Sequence, residues 1–352
     1  MKQRRIFIDF HYLKNMNKGF GQYSYYLSKA LLRSKNNLAY TFYIPKKRKL
    51  KALFNKKNII IKFYYSFHRQ IGVFGKNYIF HSTNQLSKIE PLNKKTPYIL
   101  TIHDINFFYD EVVSEKIKAF IQKKINRANA ITYVSQFTKN EVNKHFTIDT
   151  SKLQKVIYNG NSLSNCDTIT TDKSLNFKYL FSITEMRPYK NLDKLILMMA
   201  HLPNNIKLII AGKGSKEYIM YLEQIINEKN LNERVILKGI VSEEDKIKLF
   251  SHCLAFVFPS SREGFGLPVV EALNFNKPLF LYNKTSLPEI GGNASFYWDN
   301  LESKSMATIL LDKLEYFEKN KKEMHGKIQD QLAKFNWDLA AKQYEDIYKK
   351  YL

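Results

Sequence analysis

The chain has 352 residues, of which 44% are hydrophobic and 14% aromatic, with few Gly and Pro. This composition excludes an intrinsically disordered chain and a fibrous repeat, and the length predicts two globular domains. The formal net charge of +24 points to an anionic partner.

The positive charge is concentrated in one half. Residues 1–160 contain 30 Lys+Arg and 8 Asp+Glu, a net of +22, whereas residues 161–352 contain 26 and 24, a net of +2. This asymmetry predicts nucleic acid or an anionic membrane surface as partner. The alternative is a Lys- and Asn-rich composition typical of the organism's proteins, but that does not explain the asymmetry. We favour the membrane because no nucleic-acid-binding motif accompanies the charge.

Two observations bear on the compartment. The cysteines Cys166 and Cys253 cannot form a disulfide framework, which indicates a reducing, cytoplasmic environment. The sequence has no apolar run of the ~20 residues that a spanning helix needs. We therefore expect a cytoplasmic protein, peripheral at the inner face of the membrane.

In the first half, short apolar runs alternate with longer amphipathic segments. RIFIDF precedes a helical pattern from Gln22 to Leu32, and YIFH, YILTIHD, a helical pattern from Glu115 to Ala128 and AITYVS follow. This alternation is typical of strand and helix units that build a parallel sheet.

The second half repeats the rhythm with KYLFSI, KLIIAG, RVILKG, LAFVFP and KPLFLY. Two doubly wound α/β domains are predicted, joined by a polar linker within residues 161–178. We place the N-terminal domain at 1–165 and the C-terminal domain at 166–335. The amphipathic helix within 336–352 is expected to return to the first domain.

The stretch FPSSREGFGLPVVEAL, residues 258–273, has the features of an anion site. Gly264 and Gly266 allow a tight turn, and Pro268 suits a first helical position, so a helix is predicted at 267–273. Its first amides would face the loop, ready for a phosphate.

Two carboxylates flank this loop. Glu263 lies within it and Glu271 on the first turns of the helix, where both could accept hydrogen bonds from sugar hydroxyls. A surface loop beside an N-terminal helix acid is the alternative. The Gly-Phe-Gly-Leu-Pro context between the two acids favours the functional interpretation.

Glu263, seven intervening residues and Glu271 resemble the hallmark of glycosyltransferase family 4. FSITEMRPYKNLDKLI, VILKGIVSEEDK and SLPEIGGNASFYWD extend the resemblance over nearly the whole second half. In the first half, GFGQYSYYL, FHSTN, TIHD and YVSQFTKNEV are similar to the acceptor domain of that family. The resemblance implies a GT-B fold, with two Rossmann-like domains facing each other across a cleft.

The resemblance also implies an activity, the retaining transfer of a sugar from a UDP- or GDP-linked donor to an acceptor. The expected acceptor is lipid-linked or a polysaccharide, in lipopolysaccharide, O-antigen or capsule synthesis. No metal or other cofactor is implied, and no protein nucleophile is named. The nucleotide sugar would be bound mainly by the second domain and the acceptor by the first.

Residue roles follow from the same resemblance. Glu271 would bind the ribose hydroxyls and Glu263 the donor sugar, while Lys190 would bind the diphosphate. The amides of three residues would lie near the diphosphate or sugar: Phe265, Gly266 and Leu267. Many family members place an Arg after a Gly where this chain has Thr184 and Glu185.

Four further positions are candidates. Arg187 would replace the missing arginine, with a solvated surface residue as the alternative. The nucleotide base is expected near Ile240. Gly21 lies at the start of another predicted helix. This start is either a second anion-binding site or a plain turn from strand to helix. His103 follows an apolar run and is expected to bind a sugar hydroxyl, without acting as a base.

Three basic tracts interleave lysine or arginine with apolar residues: Lys46–Lys57, Lys62–Arg69 and Lys116–Arg127. Such surfaces suit anionic lipid headgroups, and a solvated basic face is the alternative. A sugar-nucleotide epimerase of the same fold, a non-catalytic sugar-nucleotide or glycan-binding relative and a nucleic-acid binder are the competing functions.

Overall fold

The computed structural model describes residues 4–16, 18–54, 59–68, 72–73, 78–109, 114–163 and 175–352, without the side chains of residues 48 and 49. It divides into two compact units. Unit 1 comprises residues 1–162 and 335–352, and unit 2 comprises residues 163–334. Most of the predicted linker, and Cys166 within it, lies outside the described residues.

Unit 1 is built on a seven-stranded sheet in which neighbouring strands are parallel. Its strands are β1 (Arg5–Asp9), β2 (Tyr40–Pro45), β3 (Ile59–Tyr64), β4 (Tyr78–Ser82), β5 (Tyr98–Ile102), β6 (Ala130–Tyr133) and β7 (Leu153–Val156). They are ordered β3-β2-β1-β4-β5-β6-β7. All residues of β2, β4, β5 and β6 are buried, because helices cover both faces of a parallel sheet.

The helices that lie wholly within the described residues up to 163 are α1 (Gly19–Arg33), α2 (Arg48–Leu53), α3 (Glu115–Arg127) and α4 (Gln136–His145), with 3₁₀ turns at His11–Asn15 and Asn106–Tyr109. Serine side chains cap two of them. Ser114 Oγ accepts a hydrogen bond from the Ile117 amide, and Ser135 Oγ accepts one from the Thr138 amide. These caps satisfy amide groups that have no partner inside the helix, so α3 and α4 begin where they do.

The core of unit 1 has two layers, one on each face of the sheet. Alternate residues of β1 point to opposite faces: Ile6 and Ile8 pack in one cluster with Leu27 of α1, whereas Phe7 packs in the other with Ile121 of α3. The two-residue period of a strand therefore distributes a continuous apolar run between both layers.

Unit 2 repeats the plan with a six-stranded sheet, again parallel throughout. Its strands are β8 (Lys178–Ile183), β9 (Ile206–Ala211), β10 (Val235–Gly239), β11 (Ala255–Phe258), β12 (Leu279–Tyr282) and β13 (Phe296–Trp298). The order is β10-β9-β8-β11-β12-β13. The prediction of two doubly wound α/β domains is confirmed.

The helices of unit 2 are α5 (Leu192–Met198), α6 (Lys216–Glu228), α7 (Glu243–His252), α8 (Leu267–Leu273), α9 (Leu287–Gly291), α10 (Ser303–Lys319) and α11 (Lys321–Leu332). Short 3₁₀ turns lie at Pro188–Lys190, Met199–His201 and Gly292–Ala294. None of the described helices in either unit is long and apolar enough to cross a bilayer.

The strand order of unit 2 reverses at β8, which pairs with β9 on one side and β11 on the other. The segments that follow β8 and β11, residues 184–191 and 259–266, therefore leave the sheet side by side at the carboxyl ends of its strands. Open parallel sheets bind ligands at this topological switch point.

The last helix, α12 (Trp337–Lys349), belongs to unit 1 and packs against α1. Tyr23 Oη donates to Tyr344 Oη at 2.7 Å, and Tyr348 Oη lies 2.7 Å from His81 Nδ1. All four side chains are buried. Apolar packing and buried hydrogen bonds together hold α12 on the sheet.

Candidate functional site

The loop at residues 259–266 turns sharply into α8. Gly266 precedes the helix with φ at +101°, and Pro268 lies in the first turn. A Cβ atom at Gly266 would lie 3.2 Å from Leu287 Cδ2. Since only glycine adopts this φ without strain, Gly266 is required for the turn.

The turn at residues 188–191 holds one side of this loop. The amide and hydroxyl of Ser261 both donate to the Tyr189 carbonyl, each at 2.9 Å. Asn191, whose φ is +54°, donates its side-chain amide to the Pro259 carbonyl at 2.8 Å. The segments after β8 and β11 are thereby joined.

The turn that precedes α9 holds the other side. Ser286 Oγ lies 3.1 Å from the Glu263 carbonyl and 3.0 Å from the Phe265 carbonyl, and it donates to both. The Glu263 amide donates to Thr285 Oγ1 at 3.3 Å. The loop is fixed from two directions, which organises its backbone before any ligand binds.

Lys190 and Glu263 form a buried ion pair between the two segments. Their side chains are only 10% and 13% exposed. Lys190 Nζ also lies 5.0 Å from the ring centroid of Tyr189 and 5.6 Å from that of Phe258, within cation–π range. The Lys190 ammonium and the Glu263 carboxylate are therefore held side by side, largely shielded from solvent.

Glu271 takes part in a second buried pair. Its Oε1 lies 2.9 Å from Nζ of Lys246 on α7, and both side chains are nearly inaccessible to solvent. The sequence did not identify Lys246, because it lies 25 residues before its partner on another helix. Glu243, one turn earlier on α7, also pairs with Lys246. In the sequence, this spacing of Glu243 and Lys246 is typical of an exposed helix face.

The other two donor-side candidates, Arg187 and Ile240, are not members of these pairs. The guanidinium of Arg187 is half exposed and bonds Glu185 Oε1 at 2.9 Å, and this hydrogen bond raises the pKa of Arg187. Ile240 follows β10 and is 67% exposed. An apolar side chain so open to water suits contact with a flat aromatic ligand.

His103 lies in unit 1, directly after β5, and is buried. Its Nε2 is 2.8 Å from the Thr83 carbonyl, which only accepts, so Nε2 carries the proton and Nδ1 is an acceptor. Burial lowers the pKa of His103 to about 4. The ring packs edge-on against Tyr23 at 4.5 Å.

Gly21 lies in the first turn of α1 and is buried. A Cβ atom there would lie 2.0 Å from the carbonyl oxygen of Asn15 and 2.8 Å from Cα of Met16. The close approach of the preceding turn therefore requires glycine at this position, whatever the position also binds.

The basic helix α3 is only partly a surface. Lys124 is buried, and its Nζ donates to the Ser87 carbonyl at 2.7 Å and to Ser82 Oγ at 3.1 Å. Burial lowers the pKa of Lys124 to about 8. Arg127 pairs with Glu90 at 2.7 Å. The interpretation of the whole tract Lys116–Arg127 as a headgroup surface is wrong for Lys124.

Of the other basic tracts, residues 55–57 and Arg69 lie outside the described part of the chain. Within the described part, no three His, Cys, Asp or Glu side chains form a group that could hold a metal ion.

Comparison with known families identifies the domain that carries both ion pairs. Residues 170–331 match the model of the family described as "Glycosyl transferases group 1". Residues 170–331 are therefore a domain of the group 1 glycosyltransferases. The predicted resemblance to this group of enzymes is confirmed.

Curated relatives of the chain include the O-antigen chain mannosyltransferase RfbU of Salmonella typhimurium, 28% identical over 60% of this chain and 59% of RfbU. The O-antigen chain mannosyltransferase B of Escherichia coli is 26% identical over 76% of this chain and 74% of the relative. The chain thus matches less than two thirds of RfbU.

Solved structures share the fold over almost the whole chain. Anabaena Alr3699/HepE, in complex with UDP and glucose, superposes with a TM-score of 0.77 at 17% identity, over 99% of this chain and 100% of that one. Sucrose-phosphate synthase from Thermosynechococcus elongatus gives 0.75 at 15%, over 99% of each. The GT-B fold is confirmed.

Proposed function

We propose that this glycosyltransferase is a retaining enzyme that transfers a sugar from a nucleotide-diphosphate donor to a lipid-linked or polysaccharide acceptor of a cell-surface glycan. One observation carries the proposal. Two buried lysine–glutamate pairs, Lys190–Glu263 and Lys246–Glu271, flank a fixed glycine-rich turn at the switch point of unit 2.

In this proposal unit 2 binds the donor. Glu271 accepts hydrogen bonds from the ribose hydroxyls and Glu263 from the sugar, since an ionised carboxylate offers only acceptors. The exposed side chain of Ile240 contacts the base. The amides of three loop residues bind the diphosphate or sugar: Gly266, Phe265 and Leu267.

In this proposal Lys190 stabilises the leaving group of the reaction. The leaving group is a nucleoside diphosphate whose negative charge grows as the glycosidic bond breaks, and a fixed ammonium stabilises that charge most in the transition state. The cation is held before substrate arrives, by Glu263 and by two aromatic rings. Arg187 would add a second, more solvated cation.

We propose mannose as the transferred sugar, because RfbU and the O-antigen chain mannosyltransferase B are both named mannosyltransferases. UDP and GDP remain the two donor nucleotides to test. Transfer on one face of the sugar, through a short-lived oxocarbenium-like state, requires no protein nucleophile, and we assign none.

Unit 1 would bind the sugar or acceptor through His103. Because the Thr83 carbonyl fixes the proton on Nε2, the Nδ1 atom is an acceptor for a sugar hydroxyl. The lowered pKa keeps the ring neutral near pH 7. Gly21 is proposed to bring the amides of the first turn of α1 close to an anionic group.

The test combines binding with product analysis. Thermal shifts are measured with UDP and GDP for the wild type and Glu271→Gln, followed by assays with UDP-glucose and GDP-mannose and NMR of the product anomer. Stabilisation by one diphosphate that Glu271→Gln weakens, with an α-linked product from an α-linked donor, supports the proposal. An inverted anomer or no response to any nucleotide contradicts it.

We also propose that unit 1 binds the anionic inner face of the membrane. Near the edge strand β3, Tyr65 and Phe67 are stacked at 5.7 Å and about half exposed, with exposed Ile60 and Lys62 on the strand. Aromatic and cationic side chains together suit a lipid headgroup layer.

Sedimentation with vesicles of phosphatidylglycerol and phosphatidylcholine tests the membrane proposal. We expect binding to anionic vesicles that salt weakens, and at least a several-fold loss for the double variant Tyr65→Ser, Phe67→Ser. Binding that ignores the anionic lipid fraction, or that the double variant retains, contradicts it.

A further inference from the structure

Lys246 is an unusual lysine. It lies on α7 and is 5% exposed, whereas lysine is almost never fully buried in proteins unless it is paired. Burying an ammonium group carries a large desolvation penalty, which its partners must offset. Its burial therefore requires an explanation in terms of what it contacts.

Its two partners differ in their surroundings. Nζ lies 2.9 Å from Glu271 Oε1, whose side chain is 5% exposed, and 3.0 Å from Glu243 Oε2, whose side chain is 69% exposed. Burial lowers the pKa of Lys246, but the Glu271 and Glu243 carboxylates raise it by more, and the net shift is upward. Lys246 is therefore charged at neutral pH.

A purely structural role explains this arrangement poorly. Apolar residues of similar volume in both positions would usually be at least as stable as a buried ion pair. The pair instead fixes which way the Glu271 carboxylate points, because a rigid helix supplies each partner. Glu263 in the neighbouring loop is held by its own lysine in the same manner.

We propose that Lys246 is a positioning residue: it orients the Glu271 carboxylate toward the two vicinal hydroxyls of the donor ribose and thereby sets the preference for ribonucleotides. This inference rests on the proposed function, in which Glu271 binds the ribose. With Oε1 held by the ammonium group, the direction of the remaining acceptor lone pairs is set before the nucleotide arrives. A freely rotating carboxylate would bind a sugar with a single hydroxyl nearly as well as one with two.

The test compares ribonucleotides with their 2′-deoxy analogues. Isothermal titration calorimetry measures the Kd of UDP and dUDP, and of GDP and dGDP, for the wild type, Lys246→Met and Lys246→Gln. Lys248→Met is the matched control, because Lys248 lies on the same helix and pairs with the exposed Glu244. Circular dichroism checks the fold of each variant.

We expect the wild type to prefer the ribonucleotide by about tenfold or more, the value of one hydrogen bond to a charged group. Either Lys246 variant should reduce this ratio to about twofold, mainly by weakening the ribonucleotide, whereas Lys248→Met should retain it. A general loss of packing would weaken both nucleotides equally and leave the ratio unchanged.

The outcomes separate the two proposals. A wild type that binds neither diphosphate contradicts the proposed function itself. A wild type that discriminates between ribose and deoxyribose, with a folded Lys246 variant that discriminates equally well, overturns only the role of Lys246. Equal binding of the ribonucleotide and its 2′-deoxy analogue by the wild type also overturns the proposed role of Lys246.

Discussion

At the scale of single residues, Lys190 is the strongest test of the donor site. Lys190→Met removes the cation that we propose stabilises the leaving diphosphate, and it leaves Glu263 without its partner. We expect kcat/KM to fall by about 10²-fold or more, measured by release of the nucleoside diphosphate. Arg187→Ala should cost much less, because that side chain is half exposed and its charge is screened.

His103 gives a prediction about pH. Since its pKa is about 4, its ring does not titrate in the neutral range. His103→Ala should lower kcat/KM by a factor that is constant from pH 5.5 to 8. A limb of the wild-type pH profile in that range that disappears in His103→Ala would show that His103 acts as a base.

Sequence reasoning found the acids of the site and missed one of their cations. Glu263 and Glu271 stand in one contiguous stretch, so their spacing can be read directly. Lys246 reaches Glu271 only through the packing of α7 on α8, and burial cannot be read from a helix whose first turn holds three acids. The roles of all of these residues stay predictions.

At the scale of elements, the turn into α8 can be tested with glycine substitutions. Gly266→Ala forces a side chain into a backbone conformation with φ at +101° and should destabilise the fold by about 1–2 kcal/mol and weaken nucleotide binding. Gly326 lies in α11 with open space around it, and Gly326→Ala should stabilise by about 0.5–1 kcal/mol. Urea denaturation measures the unfolding free energy of both variants. Equal changes in Gly266→Ala and Gly326→Ala would contradict the requirement for glycine at 266.

The attachment of α12 depends on buried hydroxyl groups. Tyr348→Phe removes the partner of His81 Nδ1 and should cost about 1–3 kcal/mol of unfolding free energy. Tyr221→Phe is the control, since Tyr221 is 46% exposed and should change stability little. Chemical denaturation compares them, and a neutral Tyr348→Phe would mean that water replaces the lost bond.

Most strands with continuous apolar runs were predicted, but β2 was missed although all of its residues are buried. β5 and β11 are wholly buried and apolar enough to be read from sequence. β7 has the sequence LQKV and is only half buried, because it lies at the edge of its sheet. β3 merges with a basic tract, and its pairing with β2 is set by tertiary contacts that no local pattern records.

At the scale of the whole molecule, two buried histidines make stability depend on pH. Burial lowers the pKa of His81 to about 3 and that of His103 to about 4, from 6.5. Below about pH 6.5 the unfolded chain binds protons that the folded chain excludes, so stability falls as pH falls. The linkage is worth roughly 3–5 kcal/mol per histidine when complete.

Urea denaturation from pH 7.5 to 4.5 should show this decline, and His81→Asn should flatten it even though the variant is less stable overall. His201→Gln, at an exposed position, is the control and should keep the wild-type slope. An unchanged slope in His81→Asn would assign the acid sensitivity to carboxylates instead.

Because α12 belongs to unit 1 although residues 163–334 separate it from the rest of that unit, biosynthesis imposes an order on folding. The ribosome must synthesise all of unit 2 before the helix that packs on Tyr23 and His81 exists, so one apolar face of the unit 1 sheet is until then only partly covered. Domains usually fold as they emerge, the first one earliest. Here the nascent chain is expected to complete unit 2 first, and a ribosome that stalls before it reaches residue 337 would carry a folded unit 2 and an incomplete unit 1 that depends on chaperones.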